Sequence, residues 1–196
     1  MGLSTSIPNS IVQPGVCTST TRPTSPYQGQ TIYETDTGAF LVYYGTTTGW
    51  KPPWNQAWGY ENQTTLATSF TQNSTSTFDV TGMSVTFTAT SNRRYKISAF
   101  MPAIERVNGV ATAFCLFNGA SELQLCIVDG SNPGTFNVLA PAHLVKIQTF
   151  TAGSVTLKCS VRSVGGSGSM SVHARGGTPS LIVEDIGPST STAPTA

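Results

Sequence analysis

Over most of its length this chain places apolar and polar residues in strict alternation, and it holds no stretch with an apolar stripe at helical spacing. Val85, Phe87 and Ala89 share one face while Thr86, Thr88 and Thr90 share the other. Tyr95, Ile97 and Ala99 alternate with Arg94, Lys96 and Ser98, and Val155, Leu157, Cys159 and Val161 repeat the pattern. A period of two puts one set of side chains into a core and the other into water, which is the signature of half-buried strands. No segment combines good helix formers with a 3.6-residue period, so helix content near zero and an all-β fold follow.

Further runs fill in the architecture. Val110 to Phe117 and Glu122 to Val128 are more continuously apolar and meet at Asn118-Gly119, a hairpin signal. Phe136 to Leu139 and His143 to Phe150 are read as two strands interrupted by Ala140-Pro141-Ala142, and Gly165-Gly166-Ser167-Gly168 as a turn into Met170, Val172 and Ala174. Leu181 to Glu184 closes the set. About eight strands in residues 57–188 predict an antiparallel jelly-roll β-sandwich.

The N-terminal part is different. Residues 1–30 are rich in Ser, Thr, Pro and Gly, and Pro8, Pro14, Pro23 and Pro26 remove backbone donors, so an extended anchoring arm is expected there. Thr31 to Glu34 and Ala39 to Tyr44 flank Thr35-Asp36-Thr37-Gly38, giving a small β-hairpin linker segment over residues 31–56, with Gly38 taking a positive φ. Pro52-Pro53 marks a domain boundary. Residues 189–196 read as a Ser/Thr/Pro tail.

Charge narrows the functional classes. Only 10% of the residues are charged, the formal net charge is +1, and no basic cluster is longer than Arg93-Arg94; nucleic-acid binding lacks its electrostatic footprint. No apolar run reaches bilayer length and the N-terminus lacks the basic and apolar regions of a signal peptide, so membrane insertion is not expected and synthesis in the cytoplasm is. Cys17, Cys115, Cys126 and Cys159 lack the paired spacing of a zinc site. A Cys115–Cys126 bridge is geometrically conceivable between neighbouring strands but disfavoured without export.

Few residues suggest chemistry. His143 and His173 are the sole histidines, with Cys159, Asp79 and Glu105 as companions if a nucleophilic or metal centre existed, yet no spacing joins them. His173 falls on the polar face of its strand. Glu184-Asp185 offers too few oxygens for calcium. No carboxylate pair stands out as acid and base. The expectation is therefore no enzyme, no catalytic residue, no metal and no cofactor. Trp50, Trp54, Trp58 and Tyr60 form the one conspicuous aromatic group, a candidate contact for glycan or for a neighbouring subunit.

Residues 17–54, reading CTSTTRPTSPYQGQTIYETDTGAFLVYYGTTTGWKPPW, resemble a segment of bacteriophage virion proteins of the minor tail, head fibre or collar type. The resemblance rests on Arg22-Pro23, on Gly29-Gln30, on Ile32-Tyr33 followed by Thr35 and Asp36, and on the closing Trp50. In the hairpin itself, Ile32, Leu41 and Tyr43 can pack while Thr35 and Asp36 bond turn amides. Leu181 to Pro188 is similar to the last strand of comparable phage modules; together these matches cover about a quarter of the chain. Phe78-Asp79-Val80, Arg94-Tyr95-Lys96-Ile97-Ser98, Phe117-Asn118-Gly119 and Ala152-Gly153-Ser154-Val155-Thr156-Leu157 are similar in order to trimeric jelly rolls of the tumour-necrosis-factor type, which implies a homotrimer. The resemblances together imply a virion-surface structural protein. Its role would be capsid decoration, anchored through the N-terminal arm to major capsid or collar and tail proteins. The other role would be a receptor-binding module that recognises host surface glycan.

Overall fold

The computed structural model describes residues 14–73, 76–106, 111–128, 138–164, 169–174 and 177–190. These fall into two compact units, divided between Trp54 and Asn55. Expectations for residues 1–13 of the arm, for 110, for 136–137, for the turn at 165–168 and for 191–196 of the tail lie outside the described residues.

The first unit is a four-stranded sheet: β1 (Gly15–Cys17), β2 (Thr31–Glu34), β3 (Phe40–Tyr43) and β4 (Trp50–Lys51) in that spatial order. β2 and β3 form the anticipated hairpin, Ile32 opposite Leu41, and Gly38 closes it with φ +67°. Both paired side chains are buried. The expected arm is, from residue 14 onward, part of this unit: β1 pairs with β2 in parallel, Gly15 to Cys17 against Ile32 to Glu34. The segment is thus larger than a hairpin, because residues 18–30 loop back to close a small sheet.

The second unit is an antiparallel β-sandwich with the strand order of a jelly roll. Its strands are β5 (Gly59–Thr65), β6 (Phe70–Asn73), β7 (Phe78–Ala89), β8 (Arg93–Arg106), β9 (Ala111–Asn118), β10 (Ser121–Val128), β11 (Val138–Thr149), β12 (Gly153–Val164), β13 (Ser169–Val172) and β14 (Ser180–Pro188). One sheet runs β10-β9-β12-β7. In the other, β8 is flanked along one edge by β11 and along the other by β14 and then β13, which carry β5 and β6 on their far sides. Leaving β6 and β13 aside, the order is β5-β14-β8-β11 packed on β7-β12-β9-β10, so each strand crosses to the other sheet except at the β9–β10 hairpin in the middle, the connectivity of a jelly roll. No helix is present among the described residues.

Between the sheets lie Val85, Phe87, Ile97, Met101, Phe114, Leu116, Leu144, Leu157, Cys159, Val161 and Val183, each nearly or wholly excluded from water. Burying each larger side chain contributes about 1.5–3 kcal/mol. Phe87, Tyr95 and Phe150 stack with centroids 5.0–5.9 Å apart. The Tyr95 hydroxyl accepts from Thr90 N at 2.8 Å, so the ring's one polar atom is satisfied.

Three details differ from the sequence reading. The unit holds ten described strands rather than about eight, because β5 and β6 are too polar to show alternation. The two runs around Pro141 are one strand, since a bulge between Ala140 and Ala142 places the proline where no ladder donor is needed. Cys115 and Cys126 cannot bridge: Cys126 registers with core-facing Phe114 and Leu125 with Cys115, putting the two sulfurs on opposite faces, and all four cysteines are free thiols.

Candidate functional site

The residues carrying the phage resemblance hold the first unit together. Arg22 donates through Nε to Glu34, which is buried, and Thr37 Oγ1 donates to the other oxygen of that carboxylate at 2.7 Å. The hydrogen bond from Arg22 keeps the Glu34 carboxyl below the ordinary glutamate range despite burial. Asp36 accepts from Ser19 N and from Ser19 Oγ, at 2.9 and 2.5 Å, which lowers its pKa and ties the β2–β3 turn to the segment after β1. Thr35 N donates to Cys17 O at 2.9 Å, and Gly29 N to Tyr43 O at 2.8 Å. Gln30 N closes a turn onto Tyr27 O, Pro23 lies half-buried beside Arg22 in sequence, and Tyr33 points outward.

The aromatic group is split between the two units. Trp50 stacks on Tyr43 at 5.3 Å and Trp54, buried, on Tyr44 at 6.3 Å. In the second unit, Arg93 lies 3.7 Å over the Trp58 ring, a cation–π contact that covers one face of the indole. Arg93 is itself fully buried, donating from Nε and Nη2 to the two oxygens of Asp185 at 2.6 and 2.5 Å and from Nη2 to Gln56 O at 2.6 Å. Asp185 also accepts from Trp58 N and Gly187 N. Tyr60, by contrast, is 60% exposed.

Glu184 and Asp185 do not act as an acidic pair. Neighbours along a strand point to opposite faces, so Asp185 is buried against Arg93 while Glu184 lies outside, 2.9 Å from Lys96 Nζ. His173, expected on a polar face, is buried because it follows the end of β13; its Nε2 meets Glu105 Oε2, and its N donates to Ala103 O. This joins two of the residues that sequence spacing left apart. Cys159 sits in the core, where burial drives its thiol pKa upward, Asp79 lies on the opposite sheet from Glu105, and His143 is exposed, edge-on to Phe100. Among the described residues, no three His, Cys, Asp or Glu side chains converge to hold a metal ion.

The feature the sequence did not announce is the outer face of the β5-β14-β8-β11 sheet. Across it, Phe100 registers with His143 and Ser180, Ser98 with Val145 and Ile182, and Lys96 with Ile147 and Glu184. Phe100, Val145 and Ile147 are 38%, 43% and 55% exposed, and Leu139 58%. The Lys96–Glu184 pair neutralises the charge in their midst. On β11 both faces are apolar, Leu144 inward and Val145 and Ile147 outward. The sequence signal was the broken alternation of Leu144-Val145-Lys146-Ile147, where a strand wet on one side would carry polar residues.

No protein-family model matches the chain, and no curated protein sequence does. Among solved structures, 55 chains overlap it significantly. The insecticidal delta-endotoxin Cry8Ea1 of Bacillus thuringiensis matches over 60% of this chain at 16% identity and a TM-score of 0.35. The Eiger TNF of S. frugiperda matches over 70% at 7% identity and 0.41, and VP2 of an infectious bursal disease virus subviral particle over 84% at 15% and 0.33. The overlap spans 96% of the Eiger chain but 45% of VP2 and 19% of the endotoxin. The jelly-roll assignment rests on the strand order above.

Proposed function

We propose that this chain is a structural protein of a bacteriophage particle, carried on the virion surface as a capsid decoration or head-surface component and built as a homotrimer. The N-terminal segment, including the small sheet into which residues 14–30 fold, attaches it to major capsid or to collar and tail proteins, and the jelly roll is displayed. Its work is mechanical rather than catalytic: three tethered copies add weak contacts through effective concentration, so a sparsely charged surface can hold to a symmetric lattice.

The observation that carries this reading is the exposed row of Phe100, Val145 and Ile147, with Tyr60 and Ile182 beside it, on a sheet face where Lys96 and Glu184 pair with each other. An apolar row whose intervening Lys96 and Glu184 neutralise each other fits copies of itself related by closed symmetry. The phage assignment draws on the resemblance of residues 17–54, whose charged motif residues are consumed in holding the small sheet.

Sedimentation of the full chain tests the assembly. The wild type sediments at three times the chain mass, and Ile147→Asp, which puts a charge amid the contact, reduces it to a folded monomer. A wild-type monomer at about 100 µM, where any functional assembly would be populated, or an unchanged trimer in Ile147→Asp, overturns it.

A further inference from the structure

On the other sheet the ladder between β7 and β12 is interrupted: Lys158 registers with Ser84 and Ser160 with Asp79, so Cys159 stands opposite an excursion of residues 80–83. Gly82, at φ +87°, supplies the left-handed conformation this bulge needs. Val80 and Met83 still reach the core. Beside the excursion lies an open cleft of about 430 Å³, lined by Phe78, Asp79, Phe117, Lys158, Ser160 and the turn at Gly119. That volume is within the range of small-molecule sites.

We propose that this cleft is a binding site for a neutral saccharide. Asp79 Oδ2 accepts from Lys158 Nζ at 2.6 Å and Oδ1 from Ser160 Oγ at 2.7 Å. Each carboxylate oxygen can accept a second hydrogen bond and the ammonium can donate others; the Asp79 side chain is 53% exposed and Lys158 32%. Burial pushes the Asp79 carboxyl up, but the bonds from Lys158 and Ser160 outweigh it and leave the group ionised through neutral pH. The cleft therefore presents fixed acceptors and donors side by side with no net charge.

Adjacent hydroxyls of a pyranose both donate and accept, so they can bond to the pair without breaking it. An anion would meet Asp79 and a cation Lys158. Two phenyl rings line the same cleft, with Phe78 37% exposed, and give the C–H face of a sugar ring an apolar surface. None of these residues belongs to the apolar face on the other sheet.

The test is saturation-transfer NMR on the full chain. The neutral probes are methyl glucoside, methyl galactoside, methyl mannoside and N-acetylglucosamine; the charged probes are acetate and butylammonium. At least one neutral glycoside receives saturation on its ring protons. Asp79→Asn and Phe117→Ala each weaken it at least about tenfold, the scale of one hydrogen bond to a charged group. Asp79→Asn alters little volume, which guards against misfolding as the cause, and the sedimentation mass stays unchanged in both variants, separating this outcome from the assembly reading. Saturation of no neutral probe, selective binding of a charged one, or wild-type affinity in both variants overturns the proposal.

Discussion

Asp185→Ala removes a carboxylate that accepts four hydrogen bonds: two from Arg93, one from Trp58 N and one from Gly187 N. Arg93 is wholly buried and held over the Trp58 ring, so its guanidinium cannot turn to water without breaking that packing. Leaving one member of a buried ion pair uncompensated costs about 3–5 kcal/mol, and the two orphaned backbone donors add to it. Lys96–Glu184, on the same pair of strands but 42% and 40% exposed, is the internal control, and Glu184→Gln should cost under about 1 kcal/mol. The assay is urea unfolding of the full chain at fixed protomer concentration, because assembly would otherwise shift the midpoint. Asp185→Ala should also lower Tm by about 6–20 °C, at roughly 2–4 °C per kcal/mol for a chain of this size. Replacing both partners, Arg93→Met with Asp185→Leu, should recover most of the loss. If Asp185→Ala costs no more than Glu184→Gln, the pair is not the buried clamp described here.

Acid should weaken the first unit through Glu34. Its folded pKa is depressed by Arg22, so the stability it contributes is present above the unfolded glutamate value and disappears as pH falls through the lower folded one. Urea midpoints read by tryptophan fluorescence should fall between pH 6 and about pH 3, and Glu34→Gln should flatten that dependence; equal slopes in both proteins would refute it. Thiol reactivity should divide the cysteines. Burial pushes Cys115 up to about 11 and Cys159 higher still, while Cys17 and Cys126 are only half-buried. A colorimetric disulfide reagent should therefore leave Cys115 and Cys159 unmodified in the native protein and reach all four in denaturant; rapid native labelling of Cys159 would contradict the core placement.

What alternation could reveal, the sequence revealed. β7, β8, β12 and β14 bury one face each, and period two is a local signal that survives without tertiary context. The hairpins β2–β3 and β9–β10 were legible because short turns with Gly mark them. β5 was not, since Tyr60-Glu61-Asn62-Gln63-Thr64-Thr65 has no apolar period and is a strand only because β14 pairs with it. Pro141 read as a break because a bulge cannot be foreseen from one chain. The cleft was invisible for a different reason. Asp79 and Lys158 stand 79 residues apart, and only the jelly-roll register brings β7 beside β12. The same holds for Arg93 and Asp185, 92 apart. The exposed apolar face could have been read from Val145 and Ile147, whose outward direction contradicts a strand wet on one side.

The central claim is that the chain is a trimeric surface component of a phage particle. Cryo-electron microscopy of phage particles purified from cells in which the chain is made tests that most directly. The account predicts jelly-roll density in threefold sets on the particle surface, with the N-terminal segment leading into capsid, collar or tail protein. Particles that lack the chain, or that carry it as isolated single copies with the β5-β14-β8-β11 face open to solvent, would contradict it.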